Sequence, residues 1–227
     1  GEQLNPIEKI YLTCSGGPFL GRTRDQLKNV TAKDALKHPN WDMGAKISID
    51  SATMMNKGFE VIEAKWLFDL TPEQIKVIVH PQSIVHSLIQ FEDGSMKAQM
   101  GLPDMRLPIQ YALTYPERYP TNFDRFNFMD YPNLSFSAPD METFSNLRLA
   151  FQAMEQGGNK ACALNAANEV GVRAFLQNEI SFLGMAQLNE QVMEKISYIA
   201  KPSLEDYIET DKASREMAID IIKNTTL

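Results

Sequence analysis

IKVIVHPQSIVHSLIQFEDGSMKAQM, residues 75–100, decides the fold class. Residues 75–80, 83–91 and 95–100 read as three short strands, and Asp93-Gly94 between the last two is a tight-hairpin signal. Working outward toward the N-terminus, KIYL at 9–12 is a further strand running into the turn Thr13-Cys14-Ser15-Gly16-Gly17-Pro18. KISID at 46–50 reads as an alternating strand with Ile47 and Ile49 on one face. Thr31 is placed to cap a short helix over AKDALK, which His38-Pro39 stops because the residue before proline is pushed out of the α region. A longer helix is expected from about Ala52 to Phe68, where Met55, Phe59, Ile62 and Trp66 form one apolar stripe at i, i+4, i+7 and i+11. The reading is a mixed sheet with helices against it.

On the C-terminal side the pattern changes twice. From Tyr115 to Pro139 prolines, aromatics and asparagines leave no period of 2 or 3.6, which suggests a linker crossing a surface. Beyond it the period is helical, over about 142–156, 160–177, 184–199 and 211–224, with Met185, Leu188, Val192 and Ile196 as the stripe of the third segment. Four amphipathic helices with short connections predict an antiparallel bundle. The expected class is α+β: a mixed sheet packed with helices over 1–115, a linker over 116–140, and a C-terminal four-helix bundle over 141–227.

Composition narrows the function. The 227 residues are 44% hydrophobic and 22% charged, with a formal net charge of −7, and no basic stripe of the kind nucleic-acid binders use is visible. No apolar run approaches the roughly 18–20 residues that span a bilayer, and GEQLNPIEKI resembles no targeting segment. Cys14 and Cys162 lie far apart in unlike contexts, as expected of spectator thiols in a reducing compartment, so a cytoplasmic, soluble protein without nucleic-acid or membrane partners is expected. Neither G-x-G-x-x-G nor G-x-x-x-x-G-K-[ST] occurs, which removes the two common phosphate fingerprints.

Chemistry concentrates in DSATMMNKGFE, residues 50–60. Read as a strand end followed by a helix, it puts Ser51 at a helix N-cap, where free N–H groups and the helix dipole favour an anion. Asn56, Lys57 and Glu60 can project from one side of that helix, opposite the apolar stripe. A hydroxyl, an amide and an ammonium suit a phosphate monoester, whereas a carboxylate beside them is better used to hold a cation. The same spacing also describes an exposed helix face with a Lys57/Glu60 pair and an ordinary serine cap. Thr13-Cys14-Ser15-Gly16-Gly17-Pro18-Phe19, a hydroxyl followed by two glycines after a strand, could let backbone N–H groups approach an anion, or be a plain glycine turn. The loop His38-Pro39-Asn40-Trp41-Asp42-Met43-Gly44 either covers something or tucks Trp41 and Met43 into the core. His80 and His86 have no spaced Cys or His partner, so zinc is not expected, and core or capping roles are.

The blocks LTCSGGPF, HPNWDMGAKISIDSATMMNKGFEVIEAKWLF, HPQSIVHSL, GLPDMRLPIQYAL, LSFSAPD and ALNAANE together resemble, in order, the 1-deoxy-D-xylulose 5-phosphate reductoisomerase family. That resemblance implies a rearrangement of 1-deoxy-D-xylulose 5-phosphate by a retro-aldol/aldol path and reduction by NADPH to 2-C-methyl-D-erythritol 4-phosphate, with Mg, Mn or Co, in non-mevalonate isoprenoid biosynthesis. It implies substrate contacts from Ser15, His38, Ser51, Asn56, Lys57 and Glu60, with the phosphate mainly on Ser51, Asn56 and Lys57. Glu60 is implied as the metal ligand, and Glu60, His38 and Lys57 as the catalytic set. Trp41 and Met43 correspond to the flap that closes over the substrate, and Gly44 to a position touching NADPH. A homodimer is implied, with contacts largely from the sheet-containing domain.

Departures from the family pattern set further expectations. Cys14 stands where a small residue is common. The family's NADPH-binding domain, the substrate-contacting lysine at its end, and the Asp-Ser-Glu segment with two more metal carboxylates are not among these 227 residues. The chain alone is therefore expected to be enzymatically incomplete and to bind metal weakly. The competing expectation is a dimerisation or binding module that retains only an assembly surface.

Overall fold

The computed structural model describes residues 5–37, 43–225 and 227. Strands β1 (Ile7–Cys14), β2 (Ile75–Val79), β3 (Val85–Phe91) and β4 (Met96–Met100) form one sheet in the order β2-β1-β3-β4. β1 runs parallel to β2 and antiparallel to β3, and β3 runs antiparallel to β4, so the sheet is mixed. Asp93-Gly94 makes the expected hairpin: Gly94 has φ +82°, and the Phe91 N–H donates to the Ser95 carbonyl at 2.9 Å.

Helices α1 (Arg24–Leu27), α2 (Ala32–Ala35), α3 (Ala45–Ala52) and α4 (Met55–Phe68) follow β1. Thr31 caps α2 in a capping box with Asp34, as the sequence suggests. The strand expected over 46–50 is instead the body of α3. Residues two positions apart on a helix are turned by about 200° from one another, so Ile49 enters the core while Ile47 stays 40% exposed, and the apparent alternation is one turn of helix seen through a five-residue window. Lys46 pairs with Asp50 one turn on, and the Ser48 hydroxyl donates to the Gly44 carbonyl. Ser51 consequently lies in the last turn of α3 and caps nothing.

The stripe expected on α4 is also rotated. Met55, Lys57, Gly58, Val61 and Ala64 are the buried residues, whereas Trp66 is 71% exposed. Small residues set this face. A Cβ on Gly58 would lie 2.6 Å from Ala150 Cβ, so glycine permits a close crossing of α4 with α6 (Ser145–Gln156) that a stripe of large side chains does not forecast.

α5 (Arg106–Thr114), which sequence reading did not anticipate, follows β4, with the Asp104 carboxylate accepting from the Arg106 N–H at 2.9 Å at its start. Between α5 and α6 the described residues form no helix or strand apart from an isolated bridge between Ser137 and Val79. There His80, fully buried, makes two bonds: Nδ1 lies 2.9 Å from the Ser135 carbonyl and Nε2 accepts from the Ile84 N–H at 3.1 Å. This pairing fixes the Nδ1–H tautomer and bears out a core role for that histidine.

The C-terminal helices α6, α7 (Lys160–Leu176), α8 (Phe182–Lys195) and α9 (Leu204–Asn224) form the expected four-helix bundle. Met185, Leu188, Val192 and Ile196 are buried, as the period predicts. α9 begins at Leu204 rather than near 211, because Ser203 and Asp206 form a capping box at that point. Ile10, Ile75 and Val77 of the sheet, Ile49 and Val61, and Phe175, Phe182 and Leu188 of the bundle share one continuous core. The chain is thus an α+β fold with a mixed sheet and a helical bundle. Among the described residues no helix is long and apolar enough to cross a membrane.

Lys160 is 9% exposed and its Nζ donates to the Met193 carbonyl at 2.5 Å, with the Ile196 carbonyl at 3.5 Å, so it satisfies acceptors left over at the end of α8. Lys160→Met is expected to destabilise the fold by about 1–3 kcal/mol, the range for stranding buried acceptors. Thermal unfolding followed by circular dichroism would show a midpoint lower by roughly 2–12 °C; an unchanged midpoint refutes the capping role.

Candidate active-site cleft

β1 ends at Cys14, and Gly16 and Gly17 turn the chain with φ of +86° and +69°. This turn, the C-terminal half of α3 and the first turns of α4 enclose a cleft of about 560 Å³. Ser15, Met43, Ser51, Asn56, Lys57 and Glu60 all line it. Six of the positions singled out in the sequence therefore meet in one place. Gly44 does not line it; it is the N-cap of α3, next to Met43. His38 and Trp41 fall outside the described residues.

Local chemistry explains the convergence. Met54 adopts φ +62° and breaks α3 from α4, so that α4 starts at the cleft wall with no side-chain cap from its N-cap residue. The helix start foreseen at Ser51 lies instead at α4, where the Met55 N–H donates to Thr53 Oγ1 at 3.4 Å. A Cβ on Gly17 would stand 2.7 Å from the Ser51 carbonyl oxygen, so only glycine lets the turn sit against the end of α3. The Gly17 N–H donates to Ser15 Oγ at 3.2 Å.

Lys57 is 9% exposed and pairs with Glu60 Oε2, while Asn56 Nδ2 donates to Glu60 Oε1 at 2.8 Å. The Glu60 side chain keeps 36% of its surface exposed. The wall thus presents hydroxyl, amide and ammonium donors beside a single carboxylate, and Glu60 is the one acidic group lining the cleft among the described residues. Among those residues no three His, Cys, Asp or Glu side chains assemble as a metal-binding group. A hard divalent cation takes about six oxygen ligands, so Glu60 fits as one corner of such a coordination sphere and no more.

Thr13, from the turn singled out in the sequence, also lines the cleft, and so do Ser83, His86 and Met105, which the sequence does not place there. His86, expected in a core or capping role, has Nε2 3.1 Å from the Gly101 carbonyl, and burial pushes its pKa down, which keeps the ring neutral at pH 7. The signal was present in HPQSIVH, but only the pairing of β1 with β3 brings it to the site. Burial also pushes the Cys14 thiol up, so it lines the cleft as a neutral thiol. Behind the wall, burial raises the Asp50 carboxyl, while Lys46 and Asn168 pull it the other way.

Residues 100–217 match a family model described as DXP reductoisomerase C-terminal domain, and residues 1–68 match one described as 1-deoxy-D-xylulose 5-phosphate reductoisomerase C-terminal domain. The 1-deoxy-D-xylulose 5-phosphate reductoisomerase of Bacteroides thetaiotaomicron is 60% identical over 222 residues, which is 98% of this chain and 57% of that protein. That of Ruminiclostridium cellulolyticum is 54% identical, over 98% and 58%. A crystal structure of DOX-P reductoisomerase in complex with NADPH, fosmidomycin and magnesium superposes with a TM-score of 0.91 at 43% identity, covering 96% of this chain and 55% of that one. The Zymomonas mobilis enzyme in complex with NADPH gives 0.90 at 41%, covering 96% and 56%. The chain spans a little over half the length of these relatives. With more than half of its residues matched by one model, the chain belongs to the DXP reductoisomerase C-terminal domain family.

Proposed function

We propose that this chain forms the substrate-binding part of a 1-deoxy-D-xylulose 5-phosphate reductoisomerase, holding the phosphate of the sugar and one side of a divalent metal site. The observation that carries the reading is the convergence of Ser15, Ser51, Asn56, Lys57 and Glu60 on one cleft. Lys57 and the Asn56 amide supply charge-assisted and neutral donors to phosphate oxygens, and Ser51 and Ser15 supply hydroxyls. Held at that end, the substrate contributes binding energy remote from its reacting carbons and keeps the two fragments of a retro-aldol step aligned. Glu60, steadied by Lys57 and Asn56, is this chain's ligand to the metal, with magnesium, manganese or cobalt as the ion. A bound cation of this kind supplies Lewis-acid polarisation of carbonyl and hydroxyl oxygens, and NADPH supplies the hydride.

His38 is assigned to the substrate, Trp41 and Met43 to a closing flap, and Gly44 to NADPH; of these, Met43, which lines the cleft, and Gly44 next to it support the flap assignment. The organisation that goes with the reading is a catalytic unit over 1–115, a connection over 116–140 and a bundle over 141–227. Its setting is the cytoplasm, which the free thiols of Cys14 and Cys162 favour. The assembly is a homodimer, supported by exposed Met105, Ile109, Leu113, Tyr115, Phe128 and Met129. That apolar surface also favours the second reading, a module kept for association alone.

Titration calorimetry separates the two. A phosphonate analogue of the sugar phosphate is expected to bind the 227-residue chain, with heat that falls as salt rises, while NADPH alone gives almost none. No heat with the phosphonate refutes the catalytic reading and leaves the association module.

A further inference from the structure

Ser51 reaches the cleft from α3, and the far side of α3 is anchored by an unusual run of buried polar side chains. Asp50, 1% exposed, accepts from Asn168 Nδ2 of α7 on Oδ1 at 2.8 Å and pairs through Oδ2 with Lys46 Nζ at 2.7 Å. Asn168 Oδ1 accepts from Asn189 Nδ2 of α8 at 3.3 Å, and the same amide donates to Asn146 Oδ1 of α6 at 3.0 Å. Asp50, Asn146, Asn168 and Asn189 are each at most 2% exposed, and Asn189 Oδ1 has no hydrogen-bond partner among the described residues. None of the four lines the cleft.

Such a chain is a poor source of stability, since well-packed apolar side chains in its place are often neutral or better. What it adds is direction. Apolar contacts tolerate rotation of a helix about its axis, whereas a hydrogen bond fails below about 120° at the donor. Turning α3 by one residue would swing Ser51 by about 100° and out of the cleft. On the opposite side, the end of α3 meets the Gly17 turn, a steric contact with the Ser51 carbonyl that limits approach and does not fix rotation.

We propose that Asp50 and Asn168 are positioning residues for the phosphate site: their hydrogen bond ties α3 to the helical bundle in the rotation that turns Ser51 into the cleft. The ligand arm of this inference rests on the phosphate reading given above, and its structural arm does not. The bundle then serves the site directly, holding one wall of the anion cleft from behind.

The test uses the whole 227-residue chain as wild type, Asn168→Ala, Ser51→Ala, the double variant and Asp50→Asn, which keeps an oxygen for Asn168. Amide hydrogen exchange of ligand-free Asn168→Ala is expected to quicken about tenfold or more over residues 48–53 and to stay unchanged over 58–64 of α4. Inorganic phosphate, titrated by NMR, is expected to bind Asn168→Ala about 5- to 10-fold more weakly, the double variant no more weakly than Ser51→Ala, and Asp50→Asn within about twofold of wild type. Unchanged exchange at α3, equal loosening of α3 and α4, or additive losses in the double variant overturns the proposal. Absence of phosphate binding by the wild type refutes the phosphate reading instead, and the exchange arm then decides the tether alone.

Discussion

Lys57→Ala is expected to weaken binding of a phosphonate substrate analogue by about 10- to 150-fold, the equivalent of the roughly 1.5–3 kcal/mol carried by one hydrogen bond to a charged group. Two effects add in the same direction. The ammonium is nearly buried, so its attraction for phosphate oxygens is less screened than that of a surface lysine. Its loss also leaves Glu60 without its cationic partner beside the anion, held only by Asn56. Glu60→Gln, run in parallel, removes the repulsive carboxylate and keeps an oxygen for Asn56, so phosphonate affinity should hold or rise while Mn²⁺ affinity falls. Calorimetry with the two ligands reads both variants. If Lys57→Ala and Glu60→Gln weaken the phosphonate alike, the division of the cleft into a phosphate end and a cation end is wrong.

The meeting of Asn56, Lys57 and Glu60 in one cleft was legible in the sequence because it is local. Asn56, Lys57 and Glu60 sit within five residues, and any helix places them side by side, whatever its neighbours. The strands were legible for similar reasons: Asp93-Gly94 sets a hairpin without help from the rest of the chain. Ser51 was found for a reason that does not hold, since it is the last turn of α3 and not a cap that puts it in the cleft. KISID misleads because five residues cannot separate a strand from one turn and a half of helix, and the deciding contacts, Ile49 in the core and Asp50 on Asn168, lie far along the chain. Ser83, His86 and Met105 were out of reach for the same reason. Strand register and a long connection bring them to the cleft, and neither leaves a mark on nearby residues.

Gly17→Ala tests the remaining structural claim, that the β1 turn and α3 form one wall because nothing stands between them. Any alanine in the left-handed region costs roughly 1–2 kcal/mol, and Gly94→Ala, at φ +82° with nothing within 4 Å of the added methyl, measures that cost alone. At Gly17 the methyl would also meet the Ser51 carbonyl oxygen at 2.7 Å, a backbone atom that cannot move without its helix. Gly16 differs instructively, because its methyl would meet the flexible Leu20 side chain. To admit a methyl at Gly17 the end of α3 must retreat, against Asp50 and its bond to Asn168. The expected result is a loss of stability for Gly17→Ala clearly larger than for Gly94→Ala, with midpoints differing by at least about 3 °C, and phosphonate affinity reduced about tenfold in the first and unchanged in the second. Equal midpoints would mean that α3 yields freely. This wall of the cleft would then be a soft one, formed by a ligand when it binds rather than held ready by the fold.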